Sequence, residues 1–155
     1  MPIVDVQLVR ATDLDLRADL AAMLADALGE VFGAEPRRVW VRLAVLAAQH
    51  YAENAATYPL AEMPVFVTVL HAVPPEGQTR AAEALVIAQV VAKCVPCSRE
   101  LVHVEYAPPG HGRIAFGGKL VQKQRPAALG RRKSLVLHKH VCHAQTGTSW
   151  LFSKA

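Results

Sequence analysis

Residues 1–9 read MPIVDVQLV and residues 63–71 read MPVFVTVLH. Each is a Met-Pro followed by a β-branched, apolar run, the composition of a buried strand. Outward from the first copy, the polar step Arg10-Ala11-Thr12-Asp13 can cap a helix. Over residues 16–32, Leu16, Leu20, Met23/Leu24, Ala27/Leu28 and Val31 return at three- and four-residue spacing. That is one apolar stripe of the width a sheet covers, and Gly33 stops it. A second strand at 39–46, after Pro36, completes a βαβ unit. The second copy repeats the order: strand 65–71, a Pro74-Pro75-Glu76-Gly77 loop, a helical pattern over 79–94 stopped by Pro96, and a strand at 101–106. Pro2 matches Pro64 at an offset of 62, and Val39-Trp40-Val41 matches Val102-His103-Val104 at 63, so one inserted residue relates the halves. The chain reads as a tandem duplication, with repeats at about 1–58 and 63–121.

Two such units predict an α/β fold, a four-stranded sheet with two helices on one face, because right-handed crossovers return each helix to the same side. The other face is expected to be apolar, and association with further copies of the chain would cover it.

With 155 residues, 52% of them hydrophobic, the chain suits one domain with a buried core. No apolar run reaches the roughly eighteen residues of a membrane helix, and no basic segment precedes an apolar one at the start, so a cytoplasmic location without a membrane is expected. The net charge of +4 is unevenly distributed. Residues 1–121 hold ten Lys/Arg and 13 Asp/Glu, whereas residues 122–155 hold seven Lys/Arg and no acid. That tail reads as a basic, flexible appendage rather than a nucleic-acid surface. Three cysteines, Cys94, Cys97 and Cys142, are an odd number without an export signal, so reduced thiols are expected.

A Pro directly after Met, opening a βαβ unit that occurs twice, with a terminal Gly112-Arg113-Ile114-Ala115-Phe116-Gly117-Gly118-Lys119-Leu120-Val121 hairpin, resembles the tautomerase superfamily over residues 1–121. In the 4-oxalocrotonate tautomerase branch the unit is a separate short chain. In macrophage migration inhibitory factor and its relatives it is duplicated within a chain that forms a trimer, and this sequence resembles that kind. The resemblance implies a cofactor-independent isomerase, a homotrimer, that tautomerises a small 2-oxo or 2-hydroxy-unsaturated acid with Pro2 as general base. The chemistry has a physical basis. Once Met1 is removed, Pro2 carries a secondary α-amine with a reference pKa of about 7.7–8.0. Burial and nearby cations disfavour its protonated form and leave a free base at neutral pH. Pro64 is a peptide-bonded imide and has no such nitrogen.

An enolising carboxylate substrate also needs cations. Here the sequence departs from its relatives. The stretch His71-Ala72-Val73-Pro74-Pro75 lacks the two arginines of the dehalogenase and decarboxylase branches, Gly110 replaces the acid of the former, and Arg38 that of the latter. Hydration, dehalogenation and decarboxylation therefore lose support, which leaves simple tautomerisation or an unassigned activity. The substrate-binding candidates are Arg10, at the end of the first strand; Arg42 and Trp40, of one parity in the second; His103 and Glu105, in the fourth; and Arg113, in the terminal hairpin. Tyr51 and Asn54 are candidates for the rim. For Arg42 an intersubunit ion pair is the competing role, and for Arg10 a solvated turn.

Two other readings compete. Cys94-x-x-Cys97 with His138, His140, Cys142 and His143 has zinc-like spacing, although the expectation is no metal and no cofactor. A catalytically inactive trimeric scaffold is the main alternative, since a fold does not fix a function.

Overall fold

The computed structural model describes residues 2–11, 16–55 and 62–122. Its elements run β1 (Ile3–Arg10), α1 (Leu20–Val31), β2 (Trp40–Ala47), β3 (Val65–Leu70), α2 (Gly77–Cys94), β4 (Val102–Tyr106) and a hairpin of β5 (Ala115–Phe116) and β6 (Lys119–Leu120). The sheet has the order β2-β1-β3-β4. The outer strands run parallel to their neighbours, as crossover helices require, and the central pair β1 and β3 is antiparallel. Two βαβ units thus lie side by side with opposed directions. The start of β1 and β2 therefore shares one end of the sheet with the finish of β3 and β4.

Alternation builds the core. Val4, Val6 and Leu8 of β1 and Val65, Val67 and Val69 of β3 turn one face toward Leu20, Leu24 and Leu28 of α1 and Ile87 and Val91 of α2. Nearly all are completely buried, each contributing about 1.5–3 kcal/mol relative to exposure. Gly33 ends α1 as expected: its φ of +54° is a left-handed conformation, and its N–H bonds back to Glu30 O at 3.1 Å. The β5–β6 turn is Gly117-Gly118 with both φ positive, the geometry of a tight two-residue hairpin.

Three expectations need correction. First, α1 begins at Leu20 rather than near residue 16. Asp19 stands at its N-cap but makes no cap bond, because Arg17 takes both carboxylate oxygens, at 3.0 and 2.8 Å. Leu16 still packs on the core from outside the helix. Second, the face opposite the helices is mixed rather than apolar. Ile3, Phe66 and Leu70 share it with Asp5, Gln7, Arg42, Thr68, His103 and Glu105. Third, the repeat offset is 63 throughout the sheet and both helices. Val4 and Val67, Val6 and Val69, Leu24 and Ile87, and Leu28 and Val91 occupy equivalent buried positions, and Trp40 and His103 equivalent open ones. Face alternation has a period of two, so an offset of 62 would swap the faces. Val65, not Pro64, stands at Pro2's place.

Among the described residues no helix is long and apolar enough to cross a membrane, and no three His, Cys, Asp or Glu side chains gather as a metal site. Thr12, Asp13, the tail from 123, and with it His138, His140, Cys142 and His143, lie outside the described residues.

Candidate active site

Pro2 leads into β1 and is buried. The β1–β3 ladder pairs Ile3 with Leu70, so one further step sets Pro2 opposite His71. Directly opposed residues of an antiparallel pair have Cα atoms about 4.5–5.5 Å apart. Both residues continue the helix-facing parity of their strands, and both line a cleft of about 830 Å³. The remaining walls come from residues 32–35 at the end of α1, Arg38, residues 73–75 and Glu83 of α2.

His71 is only 9% exposed and is the sole buried polar side chain among the described residues. Its Nε2 lies 2.9 Å from Glu83 Oε1, and the same oxygen accepts the Tyr106 hydroxyl at 2.9 Å. Phe32 meets the imidazole edge-on at 5.2 Å, and Tyr106 stacks on it at 6.1 Å. Arg80 sits 5.6 Å over the Tyr106 ring while its Nε donates to Pro75 O at 2.7 Å. Burial, then the hydrogen bond and charge of Glu83, push the Tyr106 phenol well above its usual range; Arg80 pulls weakly the other way. At ordinary pH Tyr106 is therefore a donor. The turn after β4 fastens this end of the site: Gly110 N donates to His71 O at 2.8 Å, and His111 donates to Ala72 O from its backbone N at 3.1 Å and from Nδ1 at 2.9 Å.

Of the candidate catalytic and substrate-binding residues taken from sequence, Pro2 alone lines this cleft. Arg10 lies at the far end of β1, donating to Val9 O at 2.8 Å. Arg42 is on the open face, ion-paired with Asp5 directly across the ladder. Trp40 begins β2 on that face and packs on Phe116 of the hairpin at 4.7 Å. His103 stacks on Phe66 at 5.4 Å, and Glu105 accepts from Thr68 Oγ1 at 2.7 Å. These two line a separate cleft of about 290 Å³ with Gln7, Phe66, Thr68 and Val104. Arg113 is exposed in the turn before β5. Tyr51, a rim candidate, lies against Phe66, 5.8 Å away.

Sequence reasoning passed over His71, Glu83 and Tyr106, although two signals point to the first two. The alternation Val65, Val67, Val69 carries on to His71, and Glu83 stands four and eight residues before the buried Ile87 and Val91. A polar residue on a core stripe has to find a polar partner there.

No family model matches the sequence, and no curated protein matches it. Solved structures do. A macrophage migration inhibitory factor from Oncomelania hupensis superposes with a TM-score of 0.61 at 17% identity, over 79% of this chain and 83% of that one. A wild-type fused 4-OT described as a symmetric trimer gives 0.61 at 18% identity, over 77% and 94%. The protein Pt0534 inactivated by 2-oxo-3-pentynoate gives 0.61 at 17%, over 76% and 95%. The chain has the tautomerase/MIF-like fold.

Proposed function

We propose that this chain is a cytoplasmic, homotrimeric tautomerase in which the Pro2 amine, freed by removal of Met1, acts as general base on a small 2-oxo or 2-hydroxy-unsaturated acid. The observation that carries the reading is the burial of Pro2 in the wall of a cleft large enough for such a substrate. Burial and the Arg38 guanidinium in the same cleft both disfavour a pyrrolidinium cation. Glu35 and Glu83 act in the opposite sense, but the charge of Glu83 is already met by two hydrogen bonds. Arg38 is also the cation that a substrate carboxylate would meet beside Pro2, a place where the sequence pattern of relatives had suggested none. The symmetric trimer of the fused 4-OT and the inactivation of Pt0534 by an acetylenic 2-oxo acid support the same assembly and chemistry here.

Ketonisation of phenylpyruvate enol and of 2-hydroxymuconate by the natural chain and by Pro2→Ala tests this, with intact-mass measurement to establish that Met1 is gone. A general base in place contributes about 10²–10⁴ in rate, so Pro2→Ala should lose that much. Catalysis at equal rates in the two proteins, or a retained Met1 in an active enzyme, would refute Pro2 as the base, and a natural chain without activity would leave the scaffold reading instead.

A further inference from the structure

The His71–Glu83–Tyr106 chain is polar where the fold itself needs nothing polar. At the repeat offset of 63 its counterparts are Leu8, Leu20 and Leu43, all members of the apolar core or packed on it. One half of the duplicated frame thus fills these positions with three leucines. The other half fills them with an imidazole, a carboxylate and a phenol hydrogen-bonded in series, at the end of the sheet where Pro2 lies. Replacing apolar packing by a buried polar network costs desolvation and is at best neutral for stability. A packing role does not account for it.

The free nitrogen of the imidazole is accessible. Glu83 engages Nε2, and Nδ1 has no hydrogen-bond partner among the described residues. No buried side-chain nitrogen or oxygen among those residues lacks a partner. Nδ1 is therefore not sealed in, and the open volume beside His71 is the cleft it shares with Pro2.

We infer that His71 is a second acid–base residue of this site, exchanging a proton at Nδ1 with the substrate oxygen while Pro2 exchanges one with carbon; the inference rests on the tautomerase reading above. In the keto-to-enol direction the Pro2 nitrogen takes the proton from the carbon beside the carbonyl. The C–H pair becomes the C=C bond, the carbonyl π pair moves to oxygen, and that oxygen takes the proton from Nδ1 of the imidazolium. Pro2 ends protonated and His71 neutral, with solvent restoring both, and ketonisation is the reverse. Glu83 and Tyr106 are positioning residues. Glu83 Oε1 accepts from Nε2–H, which fixes the ring and leaves Nδ1 to the substrate, and the Tyr106 hydroxyl holds that oxygen from its other side. The substrate class follows: an acid with an enolisable carbonyl whose oxygen reaches His71 when its reacting carbon is at Pro2.

The test compares the natural chain with Glu83→Gln, with a triple variant carrying His71→Leu, Glu83→Leu and Tyr106→Leu, and with Pro2→Ala. Steady-state ketonisation gives kcat and KM across pH. Labelling by 2-oxo-3-pentynoate, in which the Pro2 nitrogen adds across the alkyne and the whole reagent mass is retained, reads Pro2 separately. The triple variant copies the leucines of the first repeat, so it should fold at least as stably while its kcat falls by about 10²–10⁴. Glu83→Gln should lower kcat and leave KM within about threefold, the triple variant should lose one limb of the pH profile with its imidazole, and Pro2 labelling should stay within about threefold in both variants. A triple variant that is folded and retains kcat within threefold overturns the proposal. So does parallel loss of kcat and labelling, which would mark the chain as a structural clip. Undiminished activity in Pro2→Ala sinks the parent reading on its own, and a natural chain inert toward both substrates sinks the two together.

Discussion

Gly110→Ala asks whether the turn after β4 has room for any side chain. A Cβ at 110 would stand 2.3 Å from Ile114 Cδ1, 3.0 Å from Ile114 Cγ1 and 3.2 Å from His71 O. The first two contacts are with a half-buried side chain that can rotate away. The third is with backbone, held by the 2.8 Å bond from Gly110 N itself. Overpacking of this kind costs about 1–3 kcal/mol. Most of it should vanish when Ile114 is truncated, because only the His71 contact then remains. Urea unfolding at one protein concentration, with midpoints compared at a common slope, measures Gly110→Ala, Ile114→Ala and the pair. The double variant should be at least about 1 kcal/mol more stable than additivity allows. Additivity within about 0.5 kcal/mol, or a Gly110→Ala protein as stable as the natural one, would refute the argument. By the same geometry a carboxylate side chain at 110 would displace Ile114.

Burial raises the pKa of both Cys94 and Cys97, and Arg10 offsets it only partly at Cys97. Raised values mean little thiolate at pH 7.5, so iodoacetamide should modify both more slowly than a cysteine peptide, gaining rate as pH climbs above 9 and losing the difference on unfolding; peptide mapping separates them from Cys142. Leu24→Ala, at a fully buried position of α1 facing the sheet, should cost about 2–5 kcal/mol in the same urea assay, and a loss below 1 kcal/mol would contradict the core described above.

Element types and order were legible because each strand alternates and each helix carries one stripe, patterns set by local geometry. The paired Met-Pro stretches led to the duplication even though they align one residue off the true repeat. Strand composition is insensitive to a one-residue shift, whereas the face a side chain occupies is not. The same distinction explains the site candidates. Trp40 and Arg42 share one parity, and so do His103 and Glu105, and both pairs fall on the open face away from Pro2. Parity alone would have separated them from it. What sequence could not supply was the pairing of β1 with β3, which brings residue 71 beside residue 2 across nearly half the chain.

That antiparallel pairing also explains why a symmetric frame has one candidate site rather than two. Pro2 and His71 face each other at one end of the β1–β3 ladder, and the equivalent pair at the other end is Val65 and Leu8. There the chain continues through Val65, so no amine exists, and Leu8 is fully buried in the core. In the proposed mechanism the distinction between the ends comes from chain connectivity: removal of Met1 would free the Pro2 nitrogen, whereas Val65 lies within the chain. The proposed base at that nitrogen and the proposed acid across the ladder are separable by substitution, whereas the β1–β3 register that opposes Pro2 and His71 is common to both ends. The proposed chemistry at the Pro2 end therefore draws on departures from the fold's symmetry at five positions: 2, 38, 71, 83 and 106.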